Sequence, residues 1–263
     1  MSQNSKFFNF VQESMFQQDS LERYLRVCAR NKYSLGNCAK ALTQNPNIVS
    51  FASKDDIEKE GGAILQGAIP IEVNAPFRTP QGTKFTSVKV FDLAQTTLGI
   101  PKKNFNESDH LAIIALMARS AGLEVEEHVF KDSYPKHIYY EKASRKYWLR
   151  EGVEPKVQAM LLAKELILKK IGTENKKALS QGKNPLDANT ANCVAMTAAF
   201  VVESWLGGEI KKIPAIAKQG ICSGDGFYKN VDMAVSLARR FIKSLSKLID
   251  ENRRDTQPKR QMR

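Results

Sequence analysis

The chain has 263 residues, 42% of them hydrophobic, and 40 Lys and Arg against 28 Asp and Glu, for a net charge of +12. Such a length builds one large domain or two ordinary ones. No apolar run is long enough to span a membrane, and the start Met1-Ser2-Gln3-Asn4-Ser5 lacks the basic-then-apolar pattern of a signal peptide. A cytoplasmic protein with no membrane partner is therefore expected, and its positive surplus points to a polyanion such as a phosphate backbone.

In chain order, residues 5–45 carry helical periodicity, with Phe7, Phe8, Phe10 and Val11 and later Leu21, Tyr24, Leu25 and Cys28 on repeating faces. Strands are expected at 69–74 and 84–92, joined by a turn-rich stretch over 74–82. Alternation along the second strand places Phe85, Ser87, Lys89 and Phe91 on one face and Lys84, Thr86, Val88 and Val90 on the other. Residues 99–104 read as a linker. A second domain opens with a helix over 107–121 stopped by Gly122. A strand follows at 123–130, then a hairpin of short strands at 138–140 and 146–150. Helices near 154–171, 187–206 and 229–252 complete it, with 173–184, rich in Lys, Asn, Gln and Gly, as a loop. The fold class is α+β, with domains 1–104 and 105–252 and a basic tail over 253–263. The tail belongs to a strongly charged end: residues 239–263 hold 9 basic and 3 acidic side chains.

One segment bears on catalysis. Leu162 to Leu168 reads L-A-K-E-L-I-L. In an H-E-x-x-H helix, two histidines four residues apart grip zinc and the Glu beside the first acts as general base. Here Lys164 and Leu168 hold the ligand positions and only Glu165 matches. An ammonium and an alkyl group cannot ligate, so no metal, no cofactor and no catalytic residue is expected. Read alone, the segment is equally ordinary helix composition. His110, His128 and His137 are never four residues apart and supply no substitute. Cys28, Cys38, Cys193 and Cys222 lack paired spacing and read as reduced, buried small residues. No Gly-x-Ser-x-Gly elbow occurs.

The order of hairpin, H-E-x-x-H-like helix and a second apolar helix, Met196-Thr197-Ala198-Ala199-Phe200-Val201-Val202, resembles the ImmA-type metallopeptidase domain. In that family a Glu opening the second motif is the third zinc ligand, and Met196 stands at that position here. The N-terminal third is similar to the ArdC-type and LtrC-type proteins of conjugative plasmids. The matching segments are Asn31-Lys32-Tyr33-Ser34-Leu35-Gly36-Asn37, Ala41-Leu42-Thr43-Gln44-Asn45-Pro46, Val49-Ser50-Phe51-Ala52 and Val90-Phe91-Asp92-Leu93-Ala94-Gln95-Thr96. The resemblance implies a single-stranded-DNA-binding domain followed by a zincin-like domain, the latter inactive here. It also implies a role in conjugation or establishment of a plasmid, integrative element or phage, as an antirestriction protein protecting incoming DNA. The family's basic R-K-G-E-K-G turn is replaced by Leu65-Gln66-Gly67-Ala68-Ile69-Pro70.

Single-strand binding needs cations interleaved with exposed rings. Lys32, Tyr33, Arg78, Lys84, Phe85 and Lys89 supply that pattern in the N-terminal domain, although Phe85 and Phe91 are equally suited to a core. Arg253, Arg254, Lys259 and Arg260 form a candidate phosphate-tracking arm. The expected partner is single-stranded DNA, with RNA left open. A second reading keeps the peptidase fold as an interaction scaffold that binds a protein partner through the C-terminal domain. In either reading Lys164 must be paired or reach solvent, because burying an unpaired charge is costly.

Overall fold

Asn31, Asn37, Asn45 and Asp92, polar residues in the motif segments, organise the first unit of the computed structural model. It describes residues 20–100, 105–131, 133–134, 136–208, 212–222 and 226–256. The helical segment expected around Phe7, Phe8, Phe10 and Val11, the linker positions 101–104, and Lys259 and Arg260 lie outside the described residues. The chain divides into two units, Met1–Lys103 and Asn104–Arg263.

In the first unit, α1 (Ser20–Arg30) and α2 (Leu35–Gln44) precede a three-stranded antiparallel sheet. Ser34 caps α2 by accepting the Asn37 N–H, as a serine hydroxyl does at a helix start. The strands are β1 (Phe51–Ser53), β2 (Ile71–Thr79) and β3 (Gly82–Asp92), in the order β1-β3-β2, with the short α3 (Lys54–Lys59) after β1. Leu21, Leu25 and Cys28 of α1, with Ile48, Phe51, Ile57, Ile71, Val73 and Val90, are buried and form the core. Asn31 holds the turn between helix and sheet. Its amide donates to the Val49 carbonyl at 3.1 Å and its carbonyl accepts the Phe51 N–H at 2.8 Å. Asp92 accepts from the Asn45 amide at 3.1 Å and from the Ala94 N–H at 3.0 Å.

The sheet differs from the expected one in length. β2 runs through the predicted turn to Thr79, and the chain reverses at Pro80 and Gln81. A proline inside a strand normally removes a ladder bond. Pro76 escapes that cost because it shares parity with Glu72 and Asn74, whose N–H groups point away from β3. Those edge groups are held by α2: Gln44 accepts the Glu72 N–H and donates to its carbonyl, each at 2.9 Å, and Asn37 treats Asn74 in the same way.

The second unit begins with α4 (Glu107–Ser120), whose Asn106 and Asp109 form a reciprocal capping box. Gly122, at φ +62°, ends it. A small mixed sheet follows, made of β4 (Glu124–His128), β5 (Ile138–Glu141) and β6 (Lys146–Arg150) in the order β4-β6-β5, with β4 parallel and β5 antiparallel to β6. Tyr147, Leu149 and Ile138 are buried on one face, and register places Lys146, Trp148 and Arg150 on the other with Glu124, Glu126, His128 and Tyr139. Among the described residues four helices complete the unit: α5 (Pro155–Ser180), α6 (Ala188–Trp205), α7 (Ala215–Cys222) and α8 (Phe227–Thr256). Helix α6 packs against the other three. Buried residues lie on all its sides, Cys193, Phe200 and Val201 as well as the stripe Ala191, Val194, Ala195, Ala198 and Val202, as expected of a central helix.

Two expectations need correction here. The loop expected over 173–184 is helical as far as Ser180. Gly172 costs about 1 kcal/mol in a helix interior, but Glu174, Lys176, Lys177, Ala178 and Leu179 are strong helix formers, and Asn175 binds both the N–H and the carbonyl of Leu186. The tail expected from 253 is helical as far as Thr256, with Arg253 and Arg254 in the last turn of α8. Cys28, Cys38 and Cys193 are buried. Among the described residues no helix is long and apolar enough to cross a membrane.

Candidate functional site

The strongest candidate is the outer half of the β2–β3 hairpin. Near its base Ile71, Val73 and Val90 are fully buried, whereas from Thr83 to Ser87 every residue is exposed. Antiparallel register sets Phe85 opposite Pro76, Arg78 opposite Thr83 and Lys89 opposite Glu72 on one face, and Lys84 opposite Phe77 on the other. Phe85 is 68% exposed and Phe77 44%, so neither ring belongs to the core. Each face thus carries a ring and a cation. Burial of such a ring would contribute about 1.5–3 kcal/mol, a gain the isolated fold forgoes at both positions.

The remaining predicted contacts of this unit sit differently. Lys32 is exposed, but Tyr33 is half-buried and stacks on Phe51 with ring centroids 4.7 Å apart. Burial, and then Asp56, push its phenol above the ordinary value. One face of the Tyr33 ring is therefore occupied, and the structure does not bring it together with Phe85 on one strand face. Lys89 lies opposite Glu72, which also accepts a 3.0 Å hydrogen bond from Ser87; this carboxylate offsets its charge. Phe77 was missed as a site residue in sequence, although its place beside Arg78 signalled it.

In the second unit Leu161, Lys164, Glu165 and Leu168 occupy successive turns of one partly exposed stripe of α5. The Lys164 ammonium donates to the Glu165 carboxylate at 2.9 Å, with the side chains 15% and 25% exposed. Lys164 is therefore paired. Tyr147 lies close enough to be influenced by Glu165, and burial first, then Glu165 and Tyr140, raise its phenol to about 12. The Tyr140 and Tyr147 centroids are 4.7 Å apart, and the Lys169 ammonium sits 5.3 Å above Tyr140. Met196 lies on α6, partly exposed. Among the described residues, no three of His, Cys, Asp and Glu converge as metal ligands. His110 is buried in α4 and bonded through Nδ1 to the Asn106 carbonyl, His128 ends β4, and His137 precedes β5. Arg253 and Arg254 are exposed at the end of α8.

No protein-family profile matches the sequence, and no curated protein matches it. A solved structure does. The Mn(II)-bound crystal structure of the antirestriction protein ArdC from plasmid R388 superimposes with a TM-score of 0.55 at 12% identity, over 94% of this chain and 98% of that one. The metal-free structure of the same protein gives a TM-score of 0.49 at 12% identity, over 98% and 100%. At that identity the likeness is one of fold, and the chain has the ArdC fold over nearly its whole length.

Proposed function

We propose that this chain is an antirestriction protein of a mobile genetic element that holds single-stranded nucleic acid on the β2–β3 arm while its second unit is catalytically silent. The observation that carries the reading is the pairing of an exposed ring with a cation on each face of the arm: Phe85 with Arg78, and Phe77 with Lys84. Unpaired bases offer π-faces for stacking that a duplex hides, and the neighbouring phosphates meet the cations. A protein that occupies entering single strands keeps them from being processed by other enzymes. The fold shared with ArdC favours this role.

The structural neighbour was crystallised with Mn(II). Manganese takes carboxylate, imidazole and water donors. At the α5 positions that the H-E-x-x-H resemblance would give to metal ligands stand an ammonium, Lys164, and an alkyl chain, Leu168; the carboxylate beside them, Glu165, is already bonded to Lys164. This donor set does not fit the ion. No hydrolytic step is assigned to the unit.

The test is a titration of the full chain against fluorescently labelled single-stranded and duplex DNA, and single-stranded RNA, at several salt concentrations. Single strands should bind more tightly than the duplex of the same sequence, with affinity falling as salt rises. Equal or stronger binding to duplex would refute the reading, and absence of binding at low salt would favour a protein-interaction scaffold.

A further inference from the structure

The outer face of the second unit's sheet carries a ring of aromatic side chains that neither the α5 stripe nor the arm uses. His128 at the end of β4 meets Trp148 of β6 at 5.4 Å between centroids and Phe130 at 5.2 Å. Phe130 stacks on Tyr134 at 5.0 Å, with an interplanar angle of 17°, and Tyr134 meets Tyr139 of β5 edge-on at 6.3 Å. Tyr139 lies directly opposite Trp148 in the β5–β6 register, which closes the circuit. These five rings line a cleft of about 400 Å³, within the range of small-molecule sites, roughly 300–1,000 Å³. The circuit is open to solvent: His128 is exposed and Tyr139 is 47% exposed.

Two guests suit an aromatic cleft, a quaternary ammonium and a flat heterocycle. Charge decides between them. The guanidinium of Arg150 lies 5.3 Å from the Phe130 ring and donates to the carbonyls of Tyr134 and Lys136, both neutral acceptors, so its charge is not cancelled. Lys131 and Lys136 are exposed in the loop that carries Tyr134. Among the described residues no carboxylate lines the cleft. Glu126, which faces Trp148 across the β4–β6 register, is bound to Lys146 at 2.7 Å, as Glu124 is at 3.2 Å, and the Lys146 ammonium itself lies 4.9 Å from the Trp148 ring centroid, so these carboxylates are already paired. A cationic guest meets like charge here, whereas a base attached to a phosphate meets a complementary surround.

We infer that this cleft is a second nucleic-acid site, which stacks one unpaired nucleobase among Trp148, Tyr139 and Phe130 and receives the adjoining phosphate at Arg150 and Lys131. It shares with the proposed function only the class of ligand, because all its residues belong to the second unit. The source of the base is either a strand or a free mononucleotide.

The chain has two tryptophans, Trp148 and Trp205, so full-length protein carrying Trp205→Phe reports on Trp148 by fluorescence. It would be titrated at low salt with a short oligothymidylate and, separately, with thymidine monophosphate, while anisotropy of a labelled oligothymidylate records overall binding. The oligomer should quench Trp148. Tyr139→Ala should weaken that quenching on the order of 10-fold without changing its salt dependence, and Tyr139→Phe should retain it. Saturable quenching by the mononucleotide identifies a site that holds a base unaided; quenching by the oligomer alone identifies a site fed by a strand. If the oligomer binds by anisotropy but leaves Trp148 unquenched, the cleft assignment is overturned and the arm reading stands. If the mononucleotide quenches while no oligomer binds, the arm reading falls and the cleft stands. Quenching by neither ligand overturns the cleft. As a check on Trp205→Phe, a 5-bromouracil oligomer photocrosslinked to the unaltered chain should label residues between His128 and Trp148, and labelling elsewhere alone would also overturn it.

Discussion

Asn37 holds Asn74 by both of its backbone groups: its amide donates to the Asn74 carbonyl at 2.8 Å and its side-chain oxygen accepts the Asn74 N–H at 2.9 Å. A helix side chain thus substitutes for a neighbouring strand at the free edge of β2, a position that otherwise invites pairing with another chain. Since Asn37 is buried and Gln44, which does the same for Glu72, is exposed, the two should differ on truncation. Asn37→Ala should lower the stability of the first unit by about 1–3 kcal/mol, the cost of leaving buried polar groups unpaired, and Gln44→Ala by less. Calorimetric melting of both variants checks this; equal effects would mean that the edge clamp does not act as described.

Tyr147 supplies a pH signature. An unfolded tyrosine titrates near 10, and in the fold burial, then Glu165 and Tyr140, raise this one to about 12. The folded state therefore holds the proton more tightly, so its contribution to stability is present below pH 10 and is lost as pH rises toward 12. Ultraviolet titration should find a tyrosine that ionises late. Glu165→Gln should bring it partway down, leaving the larger effect of burial. A Tyr147→Phe variant with an unchanged titration curve would contradict the assignment.

The α5 stripe gives a prediction about metal. Chain purified and then equilibrated with Mn(II) or Zn(II) should contain neither in stoichiometric amount after dialysis, because the Lys164 ammonium and the Leu168 side chain, at the positions the H-E-x-x-H resemblance would give to ligands, offer no lone pair. Elemental analysis decides. One ion per chain, released on Glu165→Gln, would show that other donors have replaced the missing ones.

Legibility followed the kind of signal. The helix from 107 was readable because Asn106, Asp109 and Gly122 mark its two ends locally, and the faces of β3 followed from alternation alone. The extension of β2 was not, since Asn74, Ala75 and Pro76 read as turn chemistry, and only pairing with Ser87, Thr86 and Phe85 makes them strand. Polar composition likewise hid the last turns of α5. At the candidate site, sequence placed the cations of the arm and Phe85 but left out Phe77, and could not tell that Tyr33 packs on Phe51 or that Glu72 faces Lys89. Those facts depend on cross-strand register and on which rings the core absorbs. The aromatic circuit around Trp148 was invisible for the same reason, as its members come from three strands and a loop.

Arg253 and Arg254 close α8, where cations also suit the helix dipole, worth about 0.3–1 kcal/mol. Replacing both by Gln should therefore cost little stability. If they touch phosphates, the slope of log affinity against log salt for single strands should shrink by about 0.7 for each phosphate no longer neutralised, with no change in preference for single strand over duplex. An unchanged slope would remove the end of α8 from the interface.

Phe77 and Phe85 on the arm carry the central claim, and one comparison tests it most directly: the ratio of single-strand to duplex affinity for the unaltered chain and for Phe77→Ala/Phe85→Ala. Both rings are exposed, so melting should be unaffected. Loss of stacking at about 1–3 kcal/mol per base should lower single-strand affinity at least about 10-fold, collapse the ratio toward one, and leave the salt slope as it was. A double variant that melts normally and keeps the full preference for single strands would contradict the central claim.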